Sequence, residues 1–194
     1  MAATAQAEKD IIFHEALHAA SLHGWSSDIF KIAAERANLD KAYAELIFIG
    51  GVDEILDMYF LHIDKLMMDE VLTHDIKSMK VGEKIKLALK SRIKVMEPYK
   101  KLTSKTVSHL LLPWNVPTAL RLGWRTMDTI WYDVGNDQST DFNYYTKRGI
   151  LYTVYISVIK YWLADHSTNH HETMEFIDRQ IDRVLSMGKK FKKK

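Results

Sequence analysis

His14-Glu15-Ala16-Leu17-His18 has the spacing with which a helix can hold zinc. Two imidazoles at i and i+4 share one face, and the glutamate between them can activate a bound water. The extended form of that motif fails, because Ser21 stands where a glycine should follow and Gly24 where the third histidine should. The apolar side of the helix runs through Ile12, Ala16 and Ala19/Ala20. That turns His14 and His18 toward the polar side with Asp10 and Ser21. Glu15 to His18 is also the chain's sole ExxH, whereas a ferritin-like di-iron centre needs two such motifs and two further glutamates. His166, His170 and His171 surround a helix start, with Asn169 as its cap and Glu172 as the reciprocal partner, and read as surface histidines. There is no G-x-S-x-G and no glycine-rich phosphate loop. The absence of cysteine excludes disulfides, thiolate zinc sites and thiol catalysis. A non-enzyme without metal or cofactor is expected, and a zinc hydrolase is the remote alternative.

The elements that carry these residues read as helices throughout. A chain of 194 residues, 47% apolar, has material for one ordinary core, so one compact domain is expected overall. Prolines occur only at 98, 113 and 117, leaving glycines and polar turns to end the earlier helices. Helices are predicted near 5–23, 27–37, 41–49, 52–77, 81–96, 101–112, 116–134, 140–165 and 170–187. Charge is unevenly spread: residues 1–60 hold four basic side chains against ten acidic, and residues 75–125 hold twelve against three. Such polarity gives different stretches different electrostatic tasks. The amino terminus carries Glu8 and Asp10, and its first arginine is Arg36. It resembles neither a secretory signal nor an Arg-rich transit peptide, so a bacterial cytoplasmic protein or a mature organellar form is expected.

The most informative segment is Leu110 to Arg148, LLLPWNVPTALRLGWRTMDTIWYDVGNDQSTDFNYYTKR. LLPWNVP reads as a helix stop, a tight corner and a new start, since Pro113 and Pro117 lack backbone donors and fix φ. DQSTDFNYYTKR offers Ser139 and Thr140 as N-caps for a long aromatic helix. These strings resemble the accessory lipid-binding proteins of ubiquinone biosynthesis, the Coq-nine family, from about Pro98 to Gly188. Asp141, Tyr144, Tyr145 and Arg148 match the family's DFNWYTRR segment, with Tyr144 in place of a tryptophan and Asn136 as an insertion beside the turn.

A second likeness lies at the amino terminus, where IAAERANLDKAYAELIFIGGVDEIL resembles the helix-turn-helix module of Tet-repressor-type regulators. There the third helix enters the DNA major groove. Phosphate binding needs lysine and arginine, yet residues 24–51 carry three bases against four acids. The module reads as a DNA-binding fold that does not bind nucleic acid. A ligand-responsive transcription regulator is the alternative function.

Helix 140–165 has an apolar excess. Phe142, Tyr145, Gly149, Tyr152, Ile156, Ile159 and Leu163 form one stripe, read as core. Tyr144, Leu151, Tyr155, Val158 and Trp162 form a second, which needs a ligand cavity, a second subunit or a protein partner to cover it; the Tet-repressor likeness implies a homodimer through this stripe. The fifteen residues from Gly149 to Leu163 fall short of the ~20 that span a bilayer. A ligand cavity is expected on this helix and on 52–77, with Met58, Tyr59, Tyr152, Ile156 and Ile159 binding lipid. Methionine-rich linings suit a flexible tail. Ile130, Trp131, Asp141, Tyr144, Tyr145 and Arg148 gather at the Gly135–Asp141 corner as a partner surface, with Tyr144 the more exposed of the two tyrosines.

The resemblance implies an all-α, Tet-repressor-like domain of about nine helices. It divides into a helix-turn-helix-like module at 1–50, a lipid-binding bundle at 51–188 and a basic tail at 189–194. It also implies a bound isoprenoid or phospholipid and a di-iron demethoxyubiquinone hydroxylase as partner. The place implied is an inner membrane in bacteria or the mitochondrial matrix side in eukaryotes. Five lysines after Gly188 suit an anionic membrane surface, whereas the eukaryotic family pattern continues into an amphipathic helix.

Overall fold

The computed structural model describes residues 2–137 and 142–191, and among these residues every regular element is helical. In chain order they are α1 (Ala2–His23), α2 (Ile29–Ala37), α3 (Lys41–Ile47), α4 (Gly51–Val71), α5 (Val81–Met96), α6 (Lys100–Leu110), α7 (Val116–Thr129), α8 (Phe142–Ala164) and α9 (His171–Phe191). The chain divides into two compact units, residues 1–62 with 98–120 and residues 63–97 with 121–194.

In the first unit α1 packs against α2, α3 and α6, and α2 packs against α3. The apolar stripe of α1, Ile12, Phe13, Ala16, Leu17, Ala19 and Ala20, is buried. Asn38 ends α2 in the left-handed region (φ 53°), its amide returned to the carbonyls of Ala34 and Glu35. Asp40 starts α3 by accepting the amides of Ala42 (2.8 Å) and Tyr43 (3.3 Å). The expected module at 1–50 is therefore incomplete by itself: residues 51–62 and 98–120 belong with it. One physical reason is Trp25, buried with its indole donating to the Thr106 hydroxyl at 2.9 Å.

In the second unit α5 packs against α8 and α9, and α8 against α9. The stripe of α8 expected as a dimer surface is the more deeply buried of the two, and the stripe expected as core is buried only in part. Leu151, Val154, Tyr155, Val158 and Trp162 are the buried side, whereas Tyr145 and Ile156 are exposed. The stripe expected to form a dimer surface is core.

Four helix ends also differ from expectation. α4 stops at Val71, not 77, because Thr73 and His74 donate to the carbonyls of Glu70 and Val71 and close the last turn tightly. α7 gives way at Ile130–Val134 to a π-turn, closed where the Gly135 amide donates to the Ile130 carbonyl at 2.9 Å. A Cβ at Gly135 would lie 2.7 Å from the Trp131 carbonyl oxygen, so glycine is required there. Asn169 is not the cap of α9; it sits in the turn Thr168–His170 with φ 52°. Asp165 does that work, accepting the Thr173 amide at 3.0 Å and its hydroxyl at 2.5 Å. Helix α9 runs through Gly188 to Phe191, so residues 189–191 of the expected tail are helical; lysine is a good helix former. The caps expected at Ser139 and Thr140 lie outside the described residues.

Candidate functional site

Helices α5, α8 and α9 and the π-turn line an open cavity of about 660 Å³ within the second unit. Val81 and Ile85 come from α5, Trp131 from the π-turn, Ile150, Leu151 and Val154 from α8, and Ile181, Val184 and Leu185 from α9. Its polar side chains are Asn143, Thr146 and Lys147 on the first turns of α8, beside the Trp131 indole. The size lies within the roughly 300–1,000 Å³ common for small-molecule sites, and an apolar wall with a few polar groups is their usual make-up. Val81, Ile150, Leu185 and Met187 are partly exposed, so the cavity has an apolar rim. Gly82 makes the close approach of α5 to α9 possible, since a Cβ there would collide with the end of the Leu185 side chain.

None of the five expected lipid-binding residues lines this cavity. Tyr59 is buried in the first unit, its hydroxyl 3.2 Å from that of Thr103, and Met58 is half-buried beside it in sequence. Tyr152 lays its ring against Gly123 of α7, where a Cβ would collide with it, and burial raises its hydroxyl pKa. Ile159 is buried, and Ile156 points to solvent. Of the two helices that the expectation named, α8 lines this cavity, with residues other than Tyr152, Ile156 and Ile159.

The corner after the π-turn is a tied structure more than an open surface. Ile130 is fully buried, which removes it from any partner surface. Trp131 is half-buried and donates its indole N–H to the Lys147 carbonyl at 3.2 Å. Arg148, only 1% exposed, pairs with Asp128 (2.7 Å) and stacks over the Tyr144 ring at 3.6 Å. Tyr144 is half-buried and donates to Asp128 at 3.1 Å. Arg148 and Tyr144 thus hold the corner together, contrary to the expectation that Tyr144 is the open tyrosine. Tyr145, 62% exposed and 6.1 Å from the Trp124 ring, is the open one. Asp141 lies outside the described residues.

His14 and His18 are exposed, and Glu15 is ion-paired with Arg36. Among the described residues no three His, Asp or Glu side chains come together to hold a metal. His170 is not a free surface histidine. Its Nε2 meets Glu97, its ring packs near Trp162, and it borders a second cavity of about 560 Å³.

Spacing along the chain did not reveal a buried polar cluster on α4, α5, α7 and α8. Arg92, 1% exposed, pairs with Asp64 and donates to the Tyr155 hydroxyl at 2.9 Å. Thr126 donates to the same Asp64 carboxylate at 3.0 Å. Burial alone would lower the Arg92 pKa, but Tyr155 and Asp64 hold it raised. The signal was present: Arg92 falls between Leu89, Ile93 and Met96 on the stripe of α5 that faces inward.

Comparison with known proteins sets this geometry among relatives. The COQ9 family model matches residues 116–188, the stretch that holds α7, the corner, α8 and nearly all of α9. A rat protein named "Ubiquinone biosynthesis protein COQ9, mitochondrial" is 30% identical, over 86% of this chain and 55% of its own length. The human protein of that name is 28% identical, over 91% of this chain and 57% of its own. A "Probable ubiquinone biosynthesis protein coq9, mitochondrial" of Dictyostelium discoideum is 28% identical over 90% and 58%. The chain thus spans little more than half the length of these curated relatives. Among solved structures, a TetR transcriptional regulator from Nitrosomonas europaea aligns with a TM-score of 0.71 over 91% of this chain and 97% of its own. At 20% identity that likeness shows the fold alone, and the fold is all-α and Tet-repressor-like.

Proposed function

From the premise that the chain is related to the COQ9 proteins through most of its length, we propose that it is a non-catalytic accessory protein of ubiquinone biosynthesis. It holds an isoprenoid or phospholipid tail in the cavity of α5, α8 and α9 and presents it to the di-iron demethoxyubiquinone hydroxylase. The observation that carries this reading is the cavity itself. Its wall of isoleucine, leucine and valine shields a hydrocarbon tail from water, while Asn143, Thr146 and Lys147, the last ion-paired with Asp137 at 2.8 Å, make its polar end. Such tails are nearly insoluble, so an enzyme gains from a partner that covers them. The exposed Tyr145, with Trp124 behind it, is the aromatic anchor for the partner in place of Tyr144. The place of action follows the relatives, whose names call them mitochondrial.

Protein purified without detergent should release prenyl or acyl lipid in near-stoichiometric amount, read by mass spectrometry of its extract. Val154→Trp, which fills the cavity from α8, should empty it while leaving the helical spectrum intact. Clean extracts from the wild-type protein would sink the reading.

The regulator alternative draws its support from the Nitrosomonas europaea protein, which is named a transcriptional regulator. The first unit speaks against it. Of the basic side chains in residues 24–51, Arg36 is paired with Glu15 and Lys41 with Glu45. Leu46 and Ile49, on and just beyond α3, are exposed. A module with apolar side chains outward on its reading helix and two of its three cations paired gains little from a phosphate backbone.

A further inference from the structure

The corner between α6 and α7 exposes Leu111 (74%) and Trp114 (72%), with Leu112 and Val116 also exposed beside them. We infer that this corner is a membrane-docking tip, which seats Leu111, Leu112, Trp114 and Val116 among the headgroups and upper acyl chains of an anionic lipid surface. The inference does not depend on the cavity reading, because the corner belongs to the first unit and the cavity to the second.

A water-soluble surface seldom gathers such large apolar side chains in six consecutive positions without something to cover them. The backbone of the tip is suited to lipid. Pro113 and Pro117 have no N–H. The amides of Leu111, Leu112 and Asn115 donate to the carbonyls of Val107 (3.0 Å), His109 (3.2 Å) and Leu112 (2.9 Å). Few donors at the tip are left to lose water on entering an apolar phase, where each unsatisfied group is expensive. The shape is fixed in advance, since the Asn115 side chain also donates to the His109 carbonyl at 2.9 Å and the prolines fix φ. Trp114 adds the side chain that sits most readily at the headgroup level, with an apolar body and a polar N–H.

The charge of the segment that leads into the tip favours an anionic lipid surface. Residues 98–120 carry Lys100, Lys101 and Lys105 and no acidic residue. Lys101 and Lys105 are exposed on α6, the helix that leads into the tip. Asp53 accepts the Thr118 hydroxyl of this stretch at 3.3 Å. Among the described residues no helix is long and apolar enough to cross a membrane, so the contact at this corner is peripheral.

The test is sedimentation of the full chain with phosphatidylcholine vesicles, plain or mixed with phosphatidylglycerol. Leu111→Ser with Trp114→Ala should weaken binding to the mixed vesicles on the order of tenfold or more, with an unchanged circular dichroism spectrum. Lys101→Glu with Lys105→Glu should weaken binding to mixed vesicles and leave the weaker binding to plain ones. Brominated acyl chains should quench the fluorescence of the wild-type protein more than that of Trp114→Phe. Unchanged vesicle binding in the Leu111/Trp114 variant overturns the inference. So does loss of all binding on deleting residues 189–194 alone. So does a Leu111/Trp114 variant that keeps the vesicles but loses self-association or a protein partner. Lipid extracted from the Leu111/Trp114 variant should match the wild type, so failure of the cavity reading shows separately, as clean wild-type extracts.

Discussion

Two polar clusters in this chain look opposite in sequence and in space. His14, Glu15 and His18 form a recognisable motif within five residues, yet both histidines face solvent and the glutamate is taken by Arg36. Asp64, Arg92, Thr126 and Tyr155 form no motif, come from four helices, and converge in the core of the second unit. Spacing within one helix says which side chains share a face. Whether that face has a partner depends on segments far away in sequence. A charge in the interior must be paired to survive there, so the cluster without a motif is the one under the stronger physical constraint.

The difference is greatest at Asp64. Asp64→Ala strands a buried guanidinium and should cost about 3–5 kcal/mol of stability, read from urea midpoints. A loss as small as that of a surface variant would mean that water reaches Arg92 and that the two clusters are alike.

Asp165 stands between the two clusters, buried like Asp64 but satisfied by groups close along the chain. Burial would raise its pKa, yet the hydrogen bonds from Ser167 and Thr173 hold it well below the usual carboxylate range. With the folded pKa depressed, its contribution is present above the unfolded value of about 4 and fades as pH falls below it. Asp165→Asn should cost about 1–3 kcal/mol near neutral pH. It should also show a flatter loss of stability than wild type on acidification below about pH 4. Parallel acid profiles for the two proteins would assign the acid sensitivity to other groups.

The least sensitive positions belong to the motif. His14→Ala and His18→Ala should each change stability by less than about 0.5 kcal/mol. Glu15→Gln should lose no more than about 1 kcal/mol with its partly exposed arginine pair. Neither set should alter the lipid extract. A large effect of His14 on lipid content, measured by mass spectrometry, would return the motif to consideration.

Much of the fold was legible along the chain. Helix positions followed from apolar spacing, glycines and prolines, and the segment after Pro113 carried the family likeness that the comparisons show. The candidate site was legible only as far as its helix. On α8 both stripes are apolar, so there was no contrast by which to choose between them, and Tyr144 and Tyr145 exchanged places.

Local choices are settled along the chain: where most helices begin and end to within a turn or so, the end of α4 excepted, and that Pro113 and Pro117 make a corner. The charge of residues 24–51, three bases against four acids, is settled there as well. Those outcomes depend on backbone propensity and on charges close in sequence. Packing in three dimensions was needed to decide which side of α8 meets α5 and α9 and that a cavity of about 660 Å³ remains between them. It was needed too for the burial of Arg92 and Arg148 as ion-pair centres. The reason is that burial belongs to pairs of elements. A helix with two apolar faces can satisfy the hydrophobic effect either way, and only the shapes and charges of its neighbours settle which way it turns.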